Sequence, residues 1–117
     1  MATLNLVIPC FNEEDVLPET AKRVLAMLDR LAGDGLIDRQ SEVTFIDDGS
    51  HDRTWALIEA FHLADSRIRG IKLSRNHGHQ NALLAGLLTV PGDILISLDA
   101  DLQDDLEAIP RMIEAHR

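Results

Sequence analysis

The sequence predicts one α/β domain over residues 1–117, built on a parallel sheet of about four strands with helices on both faces. Four short apolar runs of strand length alternate with stretches in which apolar residues recur at helical spacing. Such alternation favours parallel pairing with right-handed crossovers. The chain of 117 residues is long enough to bury a core around such a sheet.

The first unit is a strand over Leu4–Ile8, which Pro9 is expected to end. A helix follows from about Val16, and its apolar residues keep helical spacing until Gly33.

The second unit is a strand over Glu42–Ile46, a turn over residues 47–50 and a helix from about Arg53. Ser50 or Asp52 can cap this helix. Its apolar face is predicted to be core and consists of Trp55, Ile58 and Phe61.

The third and fourth units complete the sheet. Ile68–Leu73 alternates apolar and polar residues, which is typical of an edge strand, and a helix over Asn81–Leu88 follows. Asp93–Leu98 reads as a strand buried on both faces. The last helix is marked by Leu106, Ile109 and Ile113.

Two carboxylates directly after the fourth strand predict a cation site. Asp99 and Asp101 are two residues apart, so in extended chain both point to the same side. Oxygen ligands of this kind suit Mg²⁺ or Mn²⁺, which complete their shells with water and substrate phosphates. A solvated turn capped by Asp104 or Asp105 is the structural alternative.

The predicted strand order 3-2-1-4 places a ligand site between the first and fourth strands, where the order reverses. The turns gathered there, over residues 9–14, 47–50 and 99–101, are all acidic, and the first has no glycine. It therefore differs from the glycine-rich loops that cradle phosphate. We expect the first two turns to bind a base and ribose, and the cation to bind the diphosphate.

The charge and the cysteine content exclude several classes of protein. A formal net charge of -9 argues against binding to a nucleic-acid backbone. The single cysteine, Cys10, excludes an internal disulfide and is expected to be a core residue. No stretch approaches a membrane span, and no signal peptide is recognisable, so the chain is expected to be cytoplasmic.

Four motifs resemble, in order and spacing, the N-terminal half of family 2 glycosyltransferases with the Rossmann-like GT-A fold. They are VIPCFNEE, FIDDGSHDRT, LSRNHGHQNALLAGL and LDADLQDD. Within the family they are most similar to polyprenyl-phosphate sugar transferases, such as dolichyl-phosphate mannosyltransferase and undecaprenyl-phosphate glucosyltransferases. The resemblance covers nearly the whole chain.

The resemblance implies a role for particular residues. The nucleoside pocket would be lined by Pro9, Phe11 and Glu13, and the base would be contacted by Ile46 and Asp48. Asp99 and Asp101, the implied catalytic pair, would meet the metal-bound diphosphate, with Ala100 in the same nucleotide-binding turn and Gln103 in the metal shell. Near the phosphates or sugar would lie Arg75 and His79.

The resemblance also implies an inverting transfer of sugar from a UDP- or GDP-linked donor to a polyprenyl phosphate, assisted by Mg²⁺ or Mn²⁺. A full-length protein of this kind would be membrane-associated, at the cytoplasmic face. We expect residues 1–117 to be its N-terminal, donor-binding part, inactive alone and able to self-associate through the apolar edge of the fourth strand.

Several alternatives stay open at this point. Asp47 and Asp48 can belong to a simple turn, Asn12 and Glu14 can cap the first helix, and His77 and His79 can be polar loop groups. The whole chain can be a nucleotide- or metal-binding module without catalysis. A receiver domain of the response-regulator type also gathers acids around Mg²⁺, but it needs an acceptor aspartate where Ser74 stands.

Overall fold

The computed structural model describes residues 2–73, 90–101, 106 and 108–116. They contain a four-stranded sheet, with β1 over Leu4–Cys10, β2 over Glu42–Asp47, β3 over Ile68–Lys72 and β4 over Ile94–Ser97. The three strand pairings are parallel and the order is β3-β2-β1-β4. The predicted sheet and its strand order are therefore confirmed. The prediction that the fourth strand is buried on both faces is wrong for the described residues, because Ile94 is buried but Leu95 and Ile96 are half-buried and Ser97 is exposed.

Strand β1 is longer than the sequence predicts, because it continues through Pro9 to Cys10. The carbonyl of Val7 accepts a hydrogen bond from the Leu98 amide at 3.0 Å, whereas the Cys10 carbonyl accepts one from the Asp48 amide at 2.9 Å. Alternate residues thus face β4 and β2. The missing N–H of Pro9 falls on the β4 side, beyond the last residue of that strand, where no ladder bond is lost.

Three helices are present in the described residues: α1 over Leu17–Gly33, α2 over Thr54–Ala64 and α3 over Ala108–His116. Leu106, predicted to lie within the last helix, lies in the turn before it and accepts a hydrogen bond from the Ile109 amide at 3.2 Å. The predicted helix over Asn81–Leu88 lies outside the described residues. That a helix also covers the second face of the sheet therefore stays a prediction.

The main core lies between the sheet and these helices. Alternate residues of β1 and β2 pack there against the apolar stripe of α1 and against Ile58 of α2. The cluster includes Leu6, Ile8, Val24, Leu28, Leu31, Val43, Phe45, Ile109 and Ile113. Trp55 and Phe61, predicted as core, are half-buried at its rim, because α2 covers the edge strand β3.

The opposite face of the sheet carries a smaller apolar cluster and a buried polar pair. Val7 and Ile46 are fully buried there, and Ile71, Leu73 and Val90 pack against them. Beside them, the Thr44 hydroxyl donates to Asn5 Oδ1 at 2.9 Å, and Asn5 Nδ2 donates to the Pro91 carbonyl at 3.0 Å. None of the helices in the described segments combines the length and apolar character needed to cross a membrane.

Candidate functional site at the carboxyl ends of the strands

Three turns meet at one edge of the sheet, because parallel strands bring their carboxyl ends together. The turn after β1 covers residues 11–16, the turn after β2 covers 48–53, and the turn after β4 covers 98–101. β1 lies between β2 and β4, so the order reverses at the pair β1 and β4. This is the position at which open α/β sheets bind ligands.

Hydrogen bonds join the first turn directly to the second. The Asn12 amide donates to Ser50 Oγ at 2.9 Å, and Asn12 Oδ1 accepts from the His51 amide at 2.8 Å. The side chain of Asn12 therefore bonds to the second turn, and α1 begins after Val16 with no side-chain cap. The proposed capping role of Asn12 is wrong.

Asn12 also adopts a backbone conformation that few residues tolerate. Its φ of 52° lies in the left-handed region, where asparagine is several-fold enriched over most other residues. Because its side chain and its amide are both bonded to the second turn, the neighbouring residues hold it in this conformation. The first turn is thereby bent sharply just before Glu13.

The residues implied for the nucleoside pocket lie around this bend. Pro9 is buried in β1 and Glu13 is half-buried. The ring of Phe11 is 37% exposed and meets the His51 ring edge-on, with centroids 6.2 Å apart. An exposed aromatic ring at the mouth of a polar turn is a suitable surface for a planar base.

The end of β2 supplies buried acids. Asp48 is 3% exposed, and Asp47 is fully buried, with Oδ1 accepting from the Ser50 amide at 3.1 Å. This bond fits the turn interpretation of Asp47. Among the described residues, none donates to Asp47 Oδ2, so a buried acceptor beside the pocket is left unused.

The thiol of Cys10 lies in the same buried region. Burial, and then the charges of Glu13 and Asp47, raise the pKa of this thiol well above its usual range. Its Sγ lies 3.4 Å from the Ile8 carbonyl. The predicted core position of Cys10 is therefore confirmed, and its raised pKa keeps the thiol protonated.

Ile46 differs from the other residues implied for the base. Its side chain is fully buried in the small apolar cluster with Val7. Contact between Ile46 and a base stays a prediction.

The turn after β4 presents two carboxylates to solvent. Asp99 and Asp101 are exposed, whereas Ala100 between them is 3% exposed and belongs to the main core. This alternation directs the two acids away from the core, and the expectation that both carboxylates face the same side stays a prediction. The hydroxyl of Thr20, on α1, donates to the Ala100 carbonyl and fixes the turn from below.

This donor set fits a hard divalent cation. Two carboxylates can hold Mg²⁺ or Mn²⁺ when water and substrate phosphates supply the remaining ligands. The described segments contain no group of three or more His, Cys, Asp or Glu side chains that could hold a metal by themselves. Gln103, Arg75, His77 and His79 lie outside the described residues, and their predicted roles stay predictions.

The sequence did not indicate two of the contacts that shape this site. Thr20 and Ala100 are 80 residues apart in the chain, and no local pattern signals their contact. Asp52 was expected only to cap α2, but it lies one residue before the N-cap residue Arg53. It accepts hydrogen bonds from the Thr54 amide at 2.9 Å and from the Glu14 amide at 3.2 Å. The pairing of acids with backbone amides across two turns depends on tertiary structure.

The observed topology excludes the receiver alternative. Receiver domains have the order 2-1-3-4-5, in which the first strand pairs with the third. Here β1 pairs with β2 and β4.

Solved structures of glycosyltransferases share this fold. The mannosyltransferase PcManGT from Pyrobaculum calidifontis, in complex with GDP-Man and Mn²⁺, superimposes with a TM-score of 0.74 at 18% identity, over 97% of this chain and 32% of that one. Glucosyl-3-phosphoglycerate synthase from Mycobacterium tuberculosis, in complex with Mn²⁺, UDP and glucosyl-3-phosphoglycerate, superimposes with a TM-score of 0.64 at 26% identity, over 98% of this chain and 39% of that one. The fold is GT-A.

Curated relatives agree with this result. The uncharacterized glycosyltransferase YkoT of Bacillus subtilis is 48% identical over 91% of this chain and 32% of its own length. An undecaprenyl-phosphate 4-deoxy-4-formamido-L-arabinose transferase of Aeromonas hydrophila is 44% identical over 96% and 33%. The chain spans about a third of the length of these relatives. A family model, Glycosyl transferase family 2, matches residues 5–117, and the chain belongs to this family.

Proposed function

We propose that this chain is the donor-binding part of a glycosyltransferase that moves a sugar from a nucleotide-diphospho-sugar to a polyprenyl phosphate. One observation carries the proposal: the exposed pair Asp99 and Asp101 stands at the switch point of the sheet, beside a first turn that has no phosphate-binding glycine. A diphosphate can approach this acidic edge only with a cation. Relatives named as undecaprenyl-phosphate transferases support the acceptor class.

The donor would lie across the three turns. Phe11 offers the base its ring face, and Glu13 and Asp48 offer acceptors for the N–H and O–H groups of base and ribose. The diphosphate extends from there towards Asp99 and Asp101. UDP and GDP are both candidates, because neighbouring structures hold nucleotides of both kinds with Mn²⁺.

The reaction would be a single inverting displacement. An oxygen of the acceptor phosphate forms a bond to the anomeric carbon while the bond from that carbon to the diphosphate breaks, and the nucleoside diphosphate leaves. Asp99 and Asp101 would hold a Mg²⁺ or Mn²⁺ ion, which would supply the positive charge that stabilises this leaving group. A phosphate acceptor is already anionic, so the chain need not supply a general base.

Such a protein would act where its lipid acceptor is, at the cytoplasmic face of a membrane. The negative charge of the chain supports a small-molecule donor over nucleic acid as its nucleotide ligand.

The direct test is transfer of radiolabelled sugar from UDP- and GDP-linked donors to polyprenyl phosphate by the full-length protein. We expect Asp101→Asn to reduce turnover by at least tenfold. Asp34→Asn is the matched control, since it replaces an exposed aspartate just past the end of α1, at the opposite end of the sheet. Donor binding without any transfer would favour the non-catalytic module. Equal activity of both variants would exclude the assigned role of Asp101.

A further inference from the structure

The start of α2 holds the backbone of the first turn through two side chains. The Glu13 amide donates to Thr54 Oγ1 at 2.8 Å, and the Glu14 amide donates to Asp52 Oδ2 at 3.2 Å. Thr54 Oγ1 lies 2.6 Å from Asp52 Oδ1. Two consecutive amides of the turn after β1 are thus bound by a joined pair of side chains that follows β2. We call Asp52 and Thr54 the clamp.

The direction of each bond in the clamp is fixed by its chemistry. A backbone N–H can only donate, so Thr54 Oγ1 accepts from Glu13. An ionised carboxylate can only accept, so the single hydroxyl proton of Thr54 goes to Asp52. Thr54 is fully buried, and both hydrogen-bonding roles of its hydroxyl are filled. The clamp therefore has one arrangement.

The carboxylate of Asp52 is held in its charged form. Partial burial raises the pKa of Asp52, but the Thr54 hydroxyl and the amides of Thr54 and Glu14 lower it by more, so that it lies below the usual value. The Thr54 amide contributes a bond of 2.9 Å to Oδ1. A charged acceptor makes these bonds stronger than neutral ones.

The clamp fixes one end of the turn, and α1 fixes the other. The Glu13 carbonyl accepts hydrogen bonds from the amides of Val16 at 3.1 Å and Leu17 at 3.0 Å. The peptide groups before and after the Glu13 Cα are therefore both hydrogen-bonded, immediately after the left-handed residue Asn12. The Glu13 backbone is thereby fixed relative to the second turn and to α1.

We propose that Asp52 and Thr54 are positioning residues for the donor nucleoside: they hold the Glu13 backbone, and so the Glu13 and Phe11 side chains, in the geometry that binds base and ribose. This inference rests on the proposed function. The hydrogen bonds of both side chains go to the first turn and to the start of α2, and not to the turn over residues 98–101, the cation turn, as far as the described residues show. Their contribution therefore falls on the nucleoside end of the donor and leaves the metal end unchanged.

The test uses Thr54→Val, which keeps the shape of the side chain but removes the hydroxyl, with Thr54→Ser as the conservative variant. Thr44→Val is the matched control, because it removes another buried threonine hydroxyl. Thr44 lies within β2 and donates to Asn5, not to the first turn. Two quantities are measured in each variant of the full-length protein. The first is the hydrogen-exchange rate of the Glu13 amide without ligand, and the second is the affinity for UDP and GDP across a Mn²⁺ titration.

We expect Thr54→Val to speed exchange of the Glu13 amide and to weaken nucleotide binding, each by about tenfold. The Mn²⁺ concentration for half-maximal binding should stay within about twofold of wild type. Thr54→Ser should keep the exchange rate of the Glu13 amide and the nucleotide affinity at their wild-type values. Thr44→Val should change neither of them. Asp52→Asn is a second test of the clamp. An amide side chain has only one oxygen, so it cannot accept all the hydrogen bonds that Oδ1 and Oδ2 of Asp52 accept now, and the Glu13 and Glu14 amides should exchange faster.

The results separate two failures. If Thr54→Val and Asp52→Asn leave the exchange of the Glu13 and Glu14 amides unchanged, the clamp does not hold the turn. If exchange accelerates but nucleotide affinity falls no more than in Thr44→Val, or the Mn²⁺ requirement rises in proportion, the positioning role is wrong. If the wild type binds neither UDP nor GDP, the proposed function fails, and the positioning of a nucleoside fails with it.

Discussion

The contact between Thr20 and the cation turn, residues 98–101, leads to the sharpest prediction about the cation site. Thr20 is buried on α1, and its hydroxyl donates to the Ala100 carbonyl, between the two exposed acids. Thr20→Val replaces the hydroxyl by a methyl group of similar size, so no cavity forms. We expect Mn²⁺-dependent nucleotide binding to weaken, because the turn that carries Asp99 and Asp101 loses its attachment to α1.

The size of the effect follows from the partners of the hydroxyl. The single hydroxyl proton is shared between the Ala100 carbonyl and the Val16 carbonyl, which lies 3.0 Å from Oγ1. The Val16 carbonyl also accepts the Thr20 amide at 3.0 Å and stays bonded in the variant. The Ala100 carbonyl loses its bond to Thr20 in a buried position, at a cost of about 1–3 kcal/mol. A loss of about 1–2 kcal/mol in metal-dependent binding corresponds to about 5- to 30-fold in affinity.

The assay is titration calorimetry of UDP and GDP at a series of Mn²⁺ concentrations, with the free energy of unfolding from urea titrations. Thr20→Ser keeps the hydroxyl and should bind as wild type. Thr44→Val should lose a comparable free energy of unfolding, since Asn5 Oδ1 loses its donor, but its Mn²⁺ requirement should be unchanged. If Thr20→Val lowers stability and leaves the Mn²⁺ requirement at the wild-type value, the contact does not position the cation turn.

Three further predictions concern other parts of the chain. Asp48→Asn should reduce the difference in calorimetric affinity between UDP and GDP, since it alters a hydrogen-bond acceptor for the base. The Mn²⁺ requirement should stay the same, and a change in that requirement alone would contradict the prediction. Gly70→Ala should lower the free energy of unfolding by about 1–3 kcal/mol, because a Cβ there would lie 2.7 Å from the buried Ile58 Cγ2; unchanged urea midpoints would refute it. Hydrogen bonds from Arg67 lower the pKa of Asp65 below its ordinary value of 3.8. This pair therefore stabilises the fold above pH 3.8, and the stabilisation is lost as the pH falls through the pKa of Asp65 in the folded protein. Asp65→Asn should therefore reduce stability near neutral pH and flatten its decline in acid, and an unchanged acid limb would argue against the pair.

The sheet was predictable because its signals are local. Each apolar run predicted a strand, and the alternation with helical spacing predicted parallel pairing. The position of the acids at strand ends then followed from topology. Pro9 was misjudged, because the sequence alone does not show that its missing N–H lies beyond the end of β4.

Side-chain contacts between distant turns could not be predicted in the same way. Asn12 reads locally as a helix cap, and only the approach of the second turn gives it the His51 amide as a donor. Asp52 likewise reads as a cap, although its second oxygen binds Glu14. Trp55 has the right spacing for the core, but the edge position of β3 leaves it half-buried. Each difference arises from tertiary neighbours that are remote in sequence.

The central claim is that Asp99 and Asp101 hold a divalent cation that binds the diphosphate of the donor. It is tested most directly by calorimetry of UDP and GDP on the full-length protein, once with Mn²⁺ and once with EDTA. We expect at least one nucleotide to bind with Mn²⁺, EDTA to abolish this binding, and Asp101→Asn to weaken it at least tenfold. Equal affinity in Mn²⁺ and in EDTA would contradict the assignment of the cation site.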